Sequence, residues 1–265
     1  MAPASRPPAR VMTFNIGRGA VGRRWGPSPP GATFERLDEV AEAIARLAPE
    51  VVALQEVHEG DVPEITRLLA QQHDAPYEGA FAAALPGDHP KLARLADVTR
   101  RTPFGVAVLS TAPIASSEAV ALPSDGDEER VAQVVRTSLA GRAVTVVAVH
   151  LSTKAAPPWA WLVGRPSPQS AQTDAVLDLA GSLGGPVVVL GDWNQSAWRL
   201  PHAVRAAGLG HRFTLASDRW AATQAGGHGL DHVLVGGGLR VRYRGVERAT
   251  VSDHRPVLVG LDVPD

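Results

Sequence analysis

The segment VVVLGDWN, residues 187–194, is a four-residue apolar run that stops at a glycine and then carries an acid and an amide. Short Val-rich runs of this kind read as buried strands. Gly191 allows a tight exit, and Asp192 and Asn194, two residues apart, point the same way if the backbone stays extended. The pattern recurs on either side. VMTFN (11–15) closes on Asn15, VVALQE (51–56) on Glu56 and VTVVAVH (144–150) on His150, while SDHRPV (252–257) opens a run with Asp253 and His254. If the first four strands leave at one rim and an antiparallel fifth enters there, carboxylates, carboxamides and imidazoles collect in one place. Such a set suits a hard divalent cation and a phosphate ester.

The rest of the chain fits this frame. It has 265 residues, 45% of them hydrophobic, enough for two packed sheets in one domain. The 26 basic and 27 acidic residues leave a formal net charge of -1, so any contact with nucleic acid must be local rather than driven by bulk charge. Lys91 and Lys154 are the only lysines. There is no cysteine, which excludes disulfides, thiolate nucleophiles and cysteine-bound metal. No apolar segment of signal-peptide or membrane-spanning length appears, and the expectation is a cytoplasmic monomer without a transmembrane segment.

Residues 1–10, rich in Pro and Ala, read as a loose tail ahead of a single domain over 11–265. Gly17 to Gly31 is a loop. Thr33, as N-cap, opens a helix to Leu47 with Phe34, Leu37, Val40, Ala41, Ile44 and Leu47 as its apolar stripe. A second helix runs from Asp61 to Gln72 with Ile65, Leu68 and Leu69 inward, and a third from about Ser170 to Leu183. Further strands are expected at 77–85, 104–109, 131–139, 143–151, 231–235, 239–243 and 256–261. Residues 86–102 read as irregular with a short helix. The turn at Ala140-Gly141-Arg142 marks a hairpin. Helices and strands alternate, but hairpins intrude, so two face-to-face sheets with helices outside fit better than a βαβ repeat.

Each polar signature has an ordinary alternative. Glu56 alone is a strand-end glutamate in solvent, Asn15 a turn asparagine before Gly17, and His150 a hydrogen-bonded structural histidine. GDWN, with the run before it and its companions elsewhere, favours function. Its acid can hold a metal or the attacking water, and its amide can donate to a phosphoryl oxygen as charge develops. Adjacent Asp253 and His254 can divide the work of placing a metal and moving a proton. Asp231, in GLDHVLV, is of the type that fixes an imidazole tautomer.

In order along the chain, TFNI, LQEV, VHL, GDWN, LDHVLV and SDHRPV resemble the endonuclease/exonuclease/phosphatase superfamily, of the deoxyribonuclease I-like kind. The resemblance spans Val11 to Leu261 and includes PFGVAVLS, with Val106 where a polar residue is usual. It implies an α/β fold, a four-layer α/β/β/α sandwich of two packed mixed sheets flanked by helices, and Mg²⁺- or Mn²⁺-dependent phosphoester hydrolysis. It also implies residue roles. Glu56 is the principal metal ligand, with Asn15 and Asp253 beside the metal. Asp192 and Asn194 position water and phosphate, His254 oriented by Asp231 acts as base or charge-stabilising partner, and His150 is the general acid of the histidine-bearing branch. Gly17 stands where the apurinic endonucleases have an acid, and His150 where they have a tyrosine, which weighs against abasic-site repair.

The substrate is less legible. Arg18, Arg23, Arg24, Arg100, Arg101 and Lys154 flank the inferred rim, with Arg18, Arg101 and Lys154 the leading substrate contacts; solvated loop arginines are an equal alternative. Trp159, Trp161, Trp193 and Trp198 lie near the same rim and can stack on bases, a lipid or a sugar, or pack under loops. A phosphodiesterase or nuclease is the leading reading. A phosphatase or phosphodiesterase for a phospholipid or small metabolite comes second, and a non-catalytic binding module on the same scaffold third.

Overall fold

Twelve strands among the described residues form two mixed sheets of six, and the site strands lie near the middle of each. The computed structural model describes residues 7–17, 37–72, 76–89, 102–124, 129–154, 166–248 and 251–264. Arg18, Arg23, Arg24, Thr33, Phe34, Arg100, Arg101, Trp159, Trp161 and most of the expected helix in 86–102 lie outside them.

The first sheet joins β1 (Ala9–Asn15), β2 (Val51–His58), β3 (Glu78–Leu85), β4 (Phe104–Ser110), β11 (Arg240–Val246) and β12 (Val257–Asp262) in the order β11-β12-β1-β2-β4-β3. The second joins β5 (Ser116–Ala121), β6 (Val131–Leu139), β7 (Arg142–His150), β8 (Val187–Asp192), β9 (Phe213–Leu215) and β10 (Asp231–Gly236) in the order β5-β6-β7-β8-β10-β9. Helices α1 (Leu37–Leu47) and α2 (Asp61–Gln72) cover the first sheet; α3 (Pro168–Ser182) and α4 (Arg199–Ala206) cover the second. Within each sheet one neighbouring pair is parallel: β1 with β2, and β7 with β8.

Strand periodicity builds the layers. Met12 and Phe14 of β1, and Val52 and Leu54 of β2, pack against α1 and α2. The alternate residues Val11, Val51 and Ala53 face the other sheet, where they meet Val146, Ala148, Val188 and Leu190. Val147, Val149, Val187 and Val189 point outward under α3 and α4. Strands buried on both faces read as near-continuous apolar runs, as these do. The result is the four-layer α/β/β/α sandwich.

Local details follow the chemistry. Ser167 caps α3, its Oγ accepting from Ser170 N at 3.0 Å, and Pro168 occupies the first turn. Ala140 and Gly141, with φ of 48° and 79°, make the two-residue hairpin turn between β6 and β7. β1 begins at Ala9, so the strand takes two residues of the expected tail. The polar edge strand β5 and the three-residue β9 are additional to the sequence expectation. None of the described helices is long and apolar enough to cross a membrane.

Candidate active site

The parallel pairing of β7 with β8 sets His150 opposite Asp192, and the antiparallel pairing of β8 with β10 sets Asp231 opposite the same Asp192. Three chemistry-bearing side chains therefore share one register line across the second sheet. Gly191 is required for this line: a Cβ there would overlap the carbonyl oxygen of Val149 and part the two strands.

The first sheet supplies the other half. Asn15 ends β1, and its Nδ2 donates to Asp192 Oδ2 at 3.0 Å, joining the two sheets at the rim. Its Oδ1 accepts from Gly17 N at 3.0 Å. Ser252 Oγ donates to Asn15 O at 2.7 Å and accepts from His254 N at 3.1 Å, tying the segment ahead of β12 to the end of β1. Gln224 forms an isolated bridge with His254 and steadies it from the other side.

Asp192 is the centre of the arrangement. His150 Nε2 lies 3.7 Å and His254 Nε2 3.8 Å from its Oδ2, and its Oδ1 accepts from Asn194 N at 2.9 Å. His254 Nδ1 is 2.8 Å from Asp231 Oδ2, and a carboxylate can only accept, so the imidazole carries its proton on Nδ1. Burial, and then the charge of Asp231, push the Asp192 carboxyl up to about 7, against the opposing pull of His254, Asn15 and Asn194 N. Burial alone would lower His254, but the hydrogen bond and charge of Asp231, with Asp192 and Asp253, outweigh it and raise the imidazole to about 9.

Glu56 lies one residue past the Asn15–Gln55 pair, at the same end of the sheet. The strand does not close on Glu56 as the sequence suggested but runs on to His58; a bulge between Gln55 and Val57 puts Glu56 at a φ of 57°, a device that re-aims a side chain within a strand. Glu56 is half-buried. Asp253 is exposed and borders Gly17, where an added Cβ would sit 3.6 Å from Asp253 Oδ1. Asn194 departs from the extended backbone expected of it. Its φ is 49°, and its Nδ2 donates to Leu151 O at 2.8 Å, binding the carboxamide to the exit of β7. Lys154 follows that exit, with its N–H on Ser152 Oγ at 3.1 Å. Trp193 is fully buried in the core under α3 and α4, and its indole donates to His232 O, so it is a packing residue. Trp198 is exposed and stacks edge-on with Trp220. His232 is buried between Ser217 and Gln195 O, and burial lowers its pKa, in keeping with a structural role.

Sequence reasoning missed two supports. Ser252 is hidden as a turn serine. Arg130, buried just ahead of β6, reaches His150 Nδ1 with Nη1 at 3.0 Å. The hairpin turn could have found it, because the register from Leu139↔Arg142 to Ala132↔Val149, continued along the ladder, brings Arg130 to the level of the His150 end of β7.

The residues suit a divalent cation. Carboxylates and carboxamides are hard oxygen donors, and Asp192 and Asp231 cluster with His254, their polar atoms within 4.8 Å of one another, next to the strand ends that carry Asn15 and Glu56; His254, when protonated, adds charge there and not a ligand. Asp231 Oδ1 is buried with no hydrogen-bond partner among the described residues, and a cation close by would offset the negative charge crowded there.

The profile of the Endonuclease/Exonuclease/phosphatase family matches residues 12–254, and the chain belongs to that family. Its members are mostly hydrolytic phosphoesterases and generally use divalent metals. Among solved structures, an endonuclease/exonuclease/phosphatase from Beutenbergia cavernae is 22% identical, with a TM-score of 0.72 over 97% of this chain and 72% of that one. The human Nocturnin catalytic domain, solved with a bound sulfate, is 20% identical, with a TM-score of 0.69 over 98% of this chain and 96% of that one. A mannosyl-6-phosphatase from Bacteroides thetaiotaomicron is 15% identical, with a TM-score of 0.64 over 96% of this chain and 99% of that one. At these identities the likeness is one of fold. No curated protein matches the sequence.

Proposed function

We propose that the chain is a divalent-metal-dependent phosphoester hydrolase, a phosphodiesterase or nuclease, acting through water held at Asp192. The observation that carries this reading is the convergence on one buried carboxylate oxygen of two imidazoles and a carboxamide drawn from both sheets. A bound Mg²⁺ or Mn²⁺ would neutralise a nonbridging phosphoryl oxygen, with Glu56, Asn15 and Asp253 as its holders. Asp192, with a carboxyl pushed up toward neutrality, orients the water and takes its proton. His254, held by Asp231, carries positive charge beside the phosphoryl group. His150 Nε2 lies 3.7 Å from the same Asp192 oxygen, placed to donate to an oxygen of the bound phosphoester. Asn194 fixes Asp192 through its backbone N–H.

The family and the intact polar set support an enzyme over a binding module, and the core shared between the two sheets supports the single domain expected over 11–265, with β1 starting two residues earlier at Ala9. The test is hydrolysis of a chromogenic phosphodiester with Mg²⁺ or Mn²⁺ and with EDTA. Turnover abolished by EDTA and restored by metal is expected; no turnover with either metal would overturn the reading. Nicking of supercoiled plasmid, run beside a phospholipid and a phosphomonoester, then separates a nuclease from the lipid or metabolite enzyme.

A further inference from the structure

The two imidazoles beside Asp192 are held in opposite senses. His254 gives its Nδ1 proton to a carboxylate, whereas His150 Nδ1 faces a guanidinium at 3.0 Å. A guanidinium offers donors only and keeps its charge. His150 Nδ1 must therefore accept, and the ring proton sits on Nε2, the atom 3.7 Å from Asp192 Oδ2. A proton on Nδ1 would set two N–H groups against each other. Both side chains border a cleft whose other walls include Leu85, Phe104, Val106, Val131 and Glu129. Arg130 and His150 are themselves 7% exposed. Bulk water competes poorly for Nδ1 in such a place.

We propose that Arg130 is a positioning residue that locks His150 in its Nε2–H tautomer and so makes it a hydrogen-bond donor to the phosphoryl or leaving oxygen rather than the group that hands over a proton. The two histidines then divide their work. His254, backed by a carboxylate, supplies positive charge; His150, backed by a guanidinium, supplies a directed dipole. This role for His150 rests on the phosphoester reading; the tautomer does not.

The test is a long-range ¹H–¹⁵N correlation spectrum of the histidine rings in metal-free protein at neutral pH, with His150→Gln to assign the signal. Wild type is expected to show a protonated Nε2 and a pyridine-type Nδ1 at His150. Arg130→Met is expected to give a mixture of tautomers, and Arg130→Lys, whose ammonium also donates, to keep the single form. Activity on the chromogenic diester should fall at least about tenfold in kcat in the Met variant with little change in KM, and recover in the Lys variant. A wild-type ring protonated on Nδ1, or on both nitrogens, overturns the proposal even if Arg130→Met does not fold. A Met variant that folds and keeps either the single tautomer or full kcat overturns it as well. The Nε2–H tautomer in a protein that hydrolyses no phosphoester would leave the lock standing and remove the proposed function.

Discussion

His254 Nδ1 and Asp231 Oδ2 stand 2.8 Å apart inside the protein, where the start of β10 meets the segment that leads into β12. That bond fixes which nitrogen of His254 faces Asp192. Asp231→Asn can present an amide to the ring and turn the tautomer around, so kcat should drop by about 10³- to 10⁴-fold while the circular dichroism spectrum is unchanged. A loss below tenfold would show that the orientation of His254 does not matter.

The same pair predicts how stability depends on pH. The folded state raises His254 to about 9, from an ordinary 6.5. Its contribution is therefore complete below pH 6.5 and disappears as pH rises through 9. In metal-free protein, His254→Gln should cost more near pH 6 than at pH 10, by up to about 3 kcal/mol. Urea unfolding of both proteins at the two pH values measures this, and a cost that does not change with pH would contradict it.

Glu56 is the half-buried acid set on the bulge of β2. Glu56→Gln should abolish metal-dependent turnover and weaken Mg²⁺ or Mn²⁺ binding in calorimetry, with unfolding shifted by less than about 1 kcal/mol. Wild-type cation affinity in this variant would move the metal elsewhere.

Gly191→Ala should fail in two ways, because the methyl group meets the Val149 carbonyl and pushes β7 from β8. We expect about 3 kcal/mol of destabilisation. Residual activity should be lower than the folded fraction alone explains, since His150 and Asp192 separate. Thermal melts paired with kcat per folded molecule check both effects.

Trp193, beside Asp192 in sequence, should behave as core. Trp193→Phe is expected to lower stability while leaving KM for every substrate unchanged, and Trp193→Ala to cost about 3–5 kcal/mol. A selective rise in KM for nucleic acid would restore the stacking role.

Much of this arrangement was legible because buried strands announce themselves. VVALQE, VTVVAVH and VVVLGDWN carry apolar residues on both faces, and each apolar run passes into polar residues that stay largely buried, so strand and site came together. The edge strand SSEAVA has almost no buried face and gave no such signal. Alternation placed Asp192 and Asn194 on one side only by assuming an extended backbone, which Asn194 abandons at a φ of 49°. Arg130 was invisible for another reason: its meaning lies in a cross-strand neighbour, and an arginine ahead of a strand looks like any solvated charge until the register is counted.

The bond from Asn15 to Asp192 spans two separately hydrogen-bonded sheets that otherwise meet through side chains such as Val11, Val188 and Leu190. Catalytic alignment is thus hostage to the apolar interface between them. A volume change at Val188, remote from any reacting atom, slides one half of the machinery past the other, and turnover should decline at temperatures where the protein is still fully folded.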